Sequence, residues 1–85
     1  MDIDYSKNFI KQYKKLPENI RERCKERLLI FKNNSFSREL NNHALHGKYI
    51  GCRSINMTGD LRAIYEVRRE GLRFIILDTH SNLYN

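Results

Sequence analysis

Several residue types are scarce in the sequence. Its 85 residues include two cysteines, one proline, four glycines and no tryptophan. Cys24 and Cys52 lack the dense spacing of a disulfide-stabilised secreted domain, so we predict that both are reduced core thiols. The longest purely apolar runs, Leu28–Phe31 and Phe74–Leu77, have four residues each, far too few to span a membrane. The N-terminus has no apolar signal core, and we therefore expect a cytoplasmic protein with no membrane partner.

Charge of one sign is in excess. Sixteen Lys and Arg against ten Asp and Glu leave a net charge of +6. With 40% hydrophobic and 31% charged residues of mixed sign, the chain is expected to fold, and its length fits one small domain over residues 1–85. The positive charge predicts a polyanionic partner, either nucleic acid or an acidic protein.

The first half of the chain predicts a pair of helices. Ile3–Tyr5 is compatible with a short strand whose place in the sheet stays open, and Ser6 is placed to cap a first helix. Pro17 suits the start of a second helix, which the polar cluster Asn33–Ser35 ends. The segment from residue 35 to 47 is expected to be a loop with one helical turn. Apolar side chains recur at helical spacing at Phe9, Ile10, Tyr13, Leu16, Ile20, Cys24, Leu28 and Phe31.

After Gly47 the apolar pattern alternates, which predicts strands at Ile50–Met57, Leu61–Val67 and Leu72–Leu77. Short loops between them make an antiparallel meander. A three-residue first loop sets Met57 opposite Leu61, Ile55 opposite Ala63 and Arg53 opposite Tyr65, and so gathers apolar side chains on one face. We therefore predict an α+β fold of order β-α-α-β-β-β, with an N-terminal helix hairpin packed on that face of a small, mostly antiparallel sheet.

The other face of the sheet is expected to be a polar, mainly basic groove. It pairs Asn56 with Arg62, Ser54 with Ile64, and Glu66 with Arg73. A planar guanidinium group can donate two hydrogen bonds to the oxygens of one phosphate. We therefore predict that the arginines and a lysine form one basic patch that binds phosphate. Its expected members are Lys48, Arg53, Arg62 and Arg73.

The histidines are the side chains most suited to acid and base chemistry near neutral pH. His43 and His80 lie at predicted strand borders beside the basic face, whereas His46 fits an ordinary loop position. His43 and His46 have neither a cysteine nor a His-Glu-x-x-His helix nearby, so we predict no metal site and no cofactor. Asp60 is either a turn residue or a catalytic carboxylate. Tyr84 either packs against the domain and holds the C-terminus in place, or stacks on a nucleic-acid base.

No nucleophilic serine or cysteine elbow and no glycine-rich phosphate loop is present in the sequence. Cleavage of RNA needs neither, because the 2′-hydroxyl is the nucleophile. A protein has only to accept that proton, stabilise the phosphoryl group and protonate the leaving 5′ oxygen. Histidine, arginine and a carboxylate are sufficient for this reaction.

Four segments resemble the RelE/ParE superfamily of bacterial toxin-antitoxin modules, and most closely its YafQ-type messenger-RNA interferases. They are His43–Gly47, Gly51–Arg53, Gly59–Tyr65 and Thr79–Tyr84. The resemblance extends over essentially the whole chain. It implies a RelE-like toxin that enters the ribosomal A site and cleaves messenger RNA there, and a separate antitoxin protein that wraps the toxin and blocks its site.

The same resemblance implies roles for individual residues. His80 corresponds to the histidine that acts as general acid, His43 to the histidine of the His-x-Leu-x-Gly segment, and Asp60 to the acid of the central hairpin. Arg62 corresponds to the arginine that stabilises the transition state in RelE-type members. Tyr84 falls at the position of a functional aromatic residue.

The RNA-binding set comprises Arg53, Lys48, Arg73 and Asn56. Asn56 stands where YafQ itself has a further histidine; an asparagine cannot exchange protons, though it can hold a phosphate or orient a water. Two other functions fit the same fold. One is a ParE-like inhibitor of DNA gyrase that cuts no RNA, and the other is an inactive relative that binds only antitoxin or RNA.

Overall fold

One five-stranded sheet organises the chain. The structure, a computed structural model, describes residues 2–84. The elements are β1 (Asp2–Tyr5), α1 (Lys7–Lys14), α2 (Glu18–Asn33), a 3-10 turn (Arg38–Leu40), β2 (His43–Ala44), a second 3-10 turn (Gly47–Tyr49), β3 (Cys52–Asn56), β4 (Leu61–Arg68), β5 (Gly71–Thr79) and α3 (His80–Leu83). The strand order is β1-β5-β4-β3-β2; β1 runs parallel to β5, and the other neighbours are antiparallel. The predicted α+β fold is confirmed.

Both N-terminal helices begin where the sequence predicts. The Ser6 hydroxyl accepts a hydrogen bond from the backbone N–H of Phe9 at 3.0 Å and so caps α1. Pro17 directly precedes α2, where its missing N–H has no helical partner to lose. The hairpin packs most of its apolar residues toward the sheet, but Leu29 of α2 is 61% exposed. Ile10, predicted to belong to the apolar side of α1, is 42% exposed.

The main core lies between these helices and the first face of the sheet, defined as the face that bears Ile55, Ala63 and Tyr65. The predicted register is confirmed, because Ile55 pairs with Ala63 and Arg53 with Tyr65. The buried members of this core are Phe9, Cys24, Phe31, Leu40, Ile55, Met57, Leu61, Ala63, Tyr65, Leu72, Phe74 and Leu77.

A β-bulge interrupts β5 at Ile75. Ile64 of β4 pairs with Ile76, whereas the next residue, Tyr65, pairs with Phe74, so that Ile75 has no opposite residue. Because of the inserted residue, each later residue of β5 lies on the opposite face of the sheet from the one that regular alternation would give it. As a result Asp78 lies on the second face of the sheet, directly across from Arg62. The sequence analysis did not predict this bulge.

The second face is not the polar groove that the sequence predicted. Ile64 and Ser54 are buried there, and a small apolar cluster forms around Ile64 with Leu45 and Leu83. Leu45 follows β2, a short strand within the segment expected to be a loop, and Leu83 belongs to α3, which was not predicted. Together these elements cover the middle of the face. They separate Asn56, Arg62 and Asp78 at one end from Glu66 and Arg73 at the other.

The strand boundaries also differ from those predicted. Strand β5 continues to Thr79, two residues past the predicted end, because its last residues pair with the start of β4. Ile50, expected to begin the first hairpin strand, lies before β3 and is 75% exposed.

Gly71 permits the close approach of β1 to the start of β5. A Cβ atom at this position would overlap the carbonyl oxygen of Asp2, its register partner. We expect Gly71→Ala to lower the free energy of unfolding by about 1 to 3 kcal/mol, because the backbone of β1 must shift. Chemical denaturation measures this change. The matched control is Gly59→Ala, since a Cβ atom there meets no heavy atom within 4 Å; equal effects would contradict the prediction.

Candidate active site

A backbone hydrogen bond joins the turn after β3 to the C-terminal segment. The N–H of His80 donates to the carbonyl oxygen of Asp60 at 2.9 Å, one residue beyond the last pair of the β4–β5 ladder. Helix α3 begins here and is capped by the hydroxyl of Thr79. One helical turn then returns Tyr84 to His80, with ring centroids 4.8 Å apart. Asp60, His80 and Tyr84 are therefore neighbours, and all three are exposed.

Arg62 lies beside this group on the second face. It stands between Asn56 of β3 and Asp78 of β5. Its Nη1 donates to the carbonyl oxygens of Thr58 at 3.2 Å and Gly59 at 3.1 Å, which holds the guanidinium against the β3–β4 turn. A cation held by neutral carbonyl groups retains its charge for a phosphate.

Tyr84 is a neutral hydrogen-bond donor in this setting. Burial raises the pKa of its phenol and the nearby Tyr49 raises it further, while the positive charge of Arg62 opposes both effects. The phenol therefore stays protonated at neutral pH and can donate to an oxygen of a ligand. Arg62 is therefore close enough to affect the charge balance of the phenol.

Asn56 offers an unused acceptor next to Arg62. Within residues 2–84, its buried Oδ1 has no hydrogen-bond partner, and the same is true of Ser54 Oγ two residues earlier. A buried polar atom without a partner costs stability, so this Oδ1 is available to accept a hydrogen bond from a ligand or a water. Because an asparagine cannot exchange protons, Asn56 can only hold or orient a ligand.

His43 approaches the same face from β2. It pairs with Ser54, which places it diagonally from Asn56, at about 7 to 8 Å between Cα atoms. Its Nδ1 is 2.8 Å from the carbonyl oxygen of Asn41. A carbonyl can only accept, so Nδ1 carries the proton and Nε2 of the neutral ring is left as an acceptor.

Arg53 does not share this site. It projects on the first face, where its Nε donates to Asn42 Oδ1 at 2.8 Å and its guanidinium lies 5.2 Å from the centroid of the Phe36 ring. These contacts order the loop before β2. The prediction that Arg53 belongs to a single basic patch with Arg62 is therefore wrong.

Arg73 is also distant from the site. It pairs with Glu66, four residues along β4 from Arg62, or roughly 13 Å at the usual rise of a strand. Its guanidinium forms an ion pair with Asp4 at 3.4 Å. The expected grouping of Arg73 with Arg62 is wrong as well, and any contact of Arg53 or Arg73 with RNA stays a prediction.

Lys48, unlike Arg53 and Arg73, lies on the same side of the molecule as Arg62 and the site. Its ammonium group is 5.1 Å from the centroid of the Tyr49 ring, and Tyr49 in turn packs against Tyr84 with centroids 6.5 Å apart. The motifs of the sequence did not single out Tyr49. Its position four residues past Leu45 gave no signal that it would meet the C-terminal segment.

Asp78 and Asn82 are polar residues of the site that the sequence analysis missed. Asp78 Oδ1 accepts from the backbone N–H of Thr79 at 2.8 Å and from Asn82 Nδ2 at 3.1 Å. This pair fixes the first turn of α3 and hence the position of His80. The available signal was an acid, a capping threonine and an asparagine after the apolar run Phe74–Leu77.

The cysteines take no part in the site. Cys24 and Cys52 are free thiols, as predicted. Burial raises the pKa of Cys24 to about 11 and also raises that of Cys52, so both thiols stay protonated at neutral pH. Across residues 2–84, no three His, Cys, Asp or Glu side chains come close enough to hold a metal ion. In that same part of the chain, no helix is long and apolar enough to cross a membrane.

The fold and this site define a toxin of the RelE/ParE type. The YoeB/ParE toxin from Agrobacterium tumefaciens shares the fold, with a TM-score of 0.76 at 20% identity over 94% of this chain and 99% of that one. YafQ from E. coli strain BL21(DE3) superposes with a TM-score of 0.81 at 25% identity, over 99% and 98% of the two chains. YafQ in the E. coli DinJ–YafQ complex gives a TM-score of 0.72 at 26% identity, over 99% and 98%.

The particular family follows from the sequence. The family model of the YafQ bacterial toxin of type II toxin-antitoxin systems matches residues 1–85. This chain belongs to that family, which confirms the resemblance seen in its motifs. No curated protein sequence matches it.

The carboxylate of Asp78 is expected to hold α3 in place. Hydrogen bonds to charged groups contribute about 1.5 to 3 kcal/mol, so Asp78→Ala should increase amide exchange of residues 80–84 by about tenfold or more. Hydrogen exchange with mass spectrometry measures this. Asp4→Ala is the matched control, because Asp4 Oδ1 likewise accepts the N–H of the next residue, Tyr5, at 2.7 Å. Unchanged exchange in Asp78→Ala would contradict the assignment.

Proposed function

We propose that this toxin is a ribosome-dependent endoribonuclease that cleaves messenger RNA in the A site. The observation that carries the proposal is the bond from His80 to Asp60, which joins the C-terminal segment to the β3–β4 turn. Through it a histidine, an arginine and a tyrosine meet at one exposed end of the sheet. Cleavage of RNA by its own 2′-hydroxyl requires groups of these kinds.

His80 is the proposed general acid. It is exposed at the first position of α3, and its ring rests against that of Tyr84 at 4.8 Å between centroids. As the 2′ oxygen attacks phosphorus and the bond from phosphorus to the 5′ oxygen breaks, the protonated imidazole gives its proton to that leaving oxygen. The products are a 2′,3′-cyclic phosphate and a free 5′-hydroxyl.

His43 is the proposed general base. With its Nδ1 held by the carbonyl of Asn41, its Nε2 is free to accept the 2′-hydroxyl proton. Asp60 is the alternative base, because this exposed acid is joined to His80 through its backbone carbonyl oxygen. The side chain of Asn56, between Arg62 and the diagonal position of His43, is suited to orient the 2′-hydroxyl through its unpaired Oδ1.

Arg62 is proposed to stabilise the negative charge that develops on the phosphoryl oxygens. It would exchange the carbonyl groups of the β3–β4 turn for phosphate, a stronger acceptor. Tyr84 can donate its phenolic proton to the same phosphate or stack on a base. Lys48, beside the Tyr49 ring, adds positive charge at the edge of the site.

The partners of this function are the ribosome with its message, and a separate antitoxin chain. A net charge of +6 favours association with ribosomal RNA and predicts salt-sensitive binding. The E. coli relative was crystallised as a DinJ–YafQ toxin-antitoxin complex, which supports an antitoxin partner here. Action on translating ribosomes places the protein in the cytoplasm.

Removal of the general acid tests the reaction directly. His80→Ala is expected to reduce cleavage of a defined message by roughly two to four orders of magnitude, since no other group would protonate the leaving oxygen. Primer extension with purified protein, with and without programmed ribosomes, measures both the rate and the ribosome requirement. His46→Ala, a change of an exposed histidine outside the site, should cleave normally.

Three outcomes would contradict this proposal. Full activity of His80→Ala would remove this residue from the mechanism. Growth arrest by the native chain without any cleavage of the message would favour a gyrase inhibitor, and no arrest at all would favour an inactive binding protein.

The separation of the arginines gives a second test. Arg62→Ala should lower kcat by about 10²- to 10³-fold, as the loss of one group that stabilises the transition state does. Arg53→Ala should leave kcat nearly unchanged and instead lower the melting temperature, because Arg53 holds Asn42 and covers Phe36. Single-turnover cleavage and thermal unfolding distinguish the two. Equal losses of kcat would show that Arg53 reaches the substrate.

A further inference from the structure

Tyr49 lies beside the candidate active site and has no part in the proposed reaction. Its ring is half-buried against the apolar cluster around Ile64 on the second face. The rings of Tyr49 and Tyr84 meet edge to face, with centroids 6.5 Å apart and planes at 86°. Tyr84 in turn lies 4.8 Å from the ring of His80. Aromatic contacts therefore lead from the proposed general acid through Tyr84 to Tyr49.

A short 3-10 turn with a defined backbone carries Tyr49. The N–H of Ile50 donates to the carbonyl oxygen of Gly47 at 3.1 Å and closes the turn. Gly47 and Gly51 on either side have φ of 66° and 91°, values that favour glycine over other residues. Because the backbone is already shaped in this way, Tyr49 would lose little conformational freedom when it binds a ligand.

Lys48 occupies one face of the Tyr49 ring. Its ammonium group is 5.1 Å from the ring centroid, and Lys48 is exposed, so this cation–π contact contributes little. A phosphate oxygen is a stronger partner for the ammonium group, because both groups are charged. A bound RNA would therefore draw Lys48 to its backbone and free a flat aromatic face for a base.

Packing within the domain explains only part of the position of Tyr49. One side of the ring covers the cluster around Ile64, but the group over its face is a cation and not an apolar side chain. A leucine could cover the same cluster. It could not offer a base the flat π surface that a tyrosine offers.

We propose that Tyr49 binds the base of the nucleotide that follows the cleaved bond, by stacking on it. The inference rests on the proposed function, in which His80 protonates the 5′ oxygen of that same nucleotide. Tyr84, next to His80, then stays with the phosphate, and Tyr49, one ring further from the leaving oxygen, takes the base. Stacking on aromatic side chains is a common way to hold the bases of single-stranded RNA, and it accepts every base.

The test is the affinity of the full-length toxin for programmed ribosomes that carry an uncleavable message, measured by co-sedimentation. A 2′-deoxy nucleotide before the cleaved bond, which primer extension locates, removes the nucleophile and leaves the bases in place. Tyr49→Leu should raise Kd about 5- to 100-fold because the stacking contact is lost. Tyr49→Phe keeps the ring and should bind as the native chain does. Thermal unfolding of both variants checks that the fold is kept.

Removal of the base provides an independent measurement. An abasic nucleotide after the cleaved bond should weaken binding of the native chain by a similar factor. It should not weaken binding of Tyr49→Leu further, because the two changes remove the same contact. A purely structural role of Tyr49 would instead give additive losses. The matched control is Ile50→Ala, since Ile50 is the next residue and is 75% exposed; its Kd should equal that of the native chain on both messages.

Four results would overturn the inference alone, with the native chain still cleaving the unmodified message. They are native affinity in Tyr49→Leu, additive losses with the abasic message, an equal loss in Ile50→Ala, and a coupling of Tyr49 to the base before the cleaved bond instead of the one after it. A native chain that binds ribosomes but cleaves no message would refute the proposed function, and the inference with it.

Discussion

The burial of Phe74 is the interaction on which the rest of the structure depends. Its ring is fully buried and contacts four other rings, those of Tyr5, Phe9, Phe31 and Tyr65, at centroid distances between 5.3 and 5.8 Å. These rings come from β1, α1, α2 and β4, so one side chain of β5 joins almost every large element of the domain. In a chain of this size the buried area is small, and aromatic rings supply much of it per residue. A single aromatic cluster thereby holds the parallel strand, both helices and the hairpin in register.

The bulge one residue after Phe74 divides β5 into a part that builds the main core and a part that leads to the candidate active site. Up to Phe74 the strand supplies the main core; beyond Ile75 the alternation is inverted, so that Leu77 still faces the helices while Asp78 turns to the other side. The strand can then continue into α3 with its polar residues on the second face. The candidate active site therefore adjoins the end of the strand that contributes Phe74 and Leu77 to the main core, although His80 and Tyr84 belong to a single helical turn.

Much of the fold could be predicted from the pattern of apolar residues. Ser6 and Pro17 marked the helix starts, and a three-residue turn set the pairing of Ile55 with Ala63, because these depend on neighbours a few positions away. The small strand at His43 could not be predicted, since it is stabilised by pairing with a distant segment. The helix at His80 has a local signal in its capping threonine, but its position beside the β3–β4 turn depends on the distant bond to Asp60. For the same reason the second face was expected to be polar, while Leu45 and Leu83 in fact cover it.

The sequence by itself determined the family, the two helices, the hairpin register and the identity of most candidate site residues, because motifs and local periodicity are properties of short stretches. Only the tertiary structure decided which of those residues meet. It placed His80, Tyr84 and Arg62 together, brought Asp78 beside them, and set Arg53 and Arg73 apart. The physical reason is that the face on which a strand residue lies depends on every bulge and pairing along the sheet. These are chosen by the packing of the whole core and not by the residue's immediate neighbours.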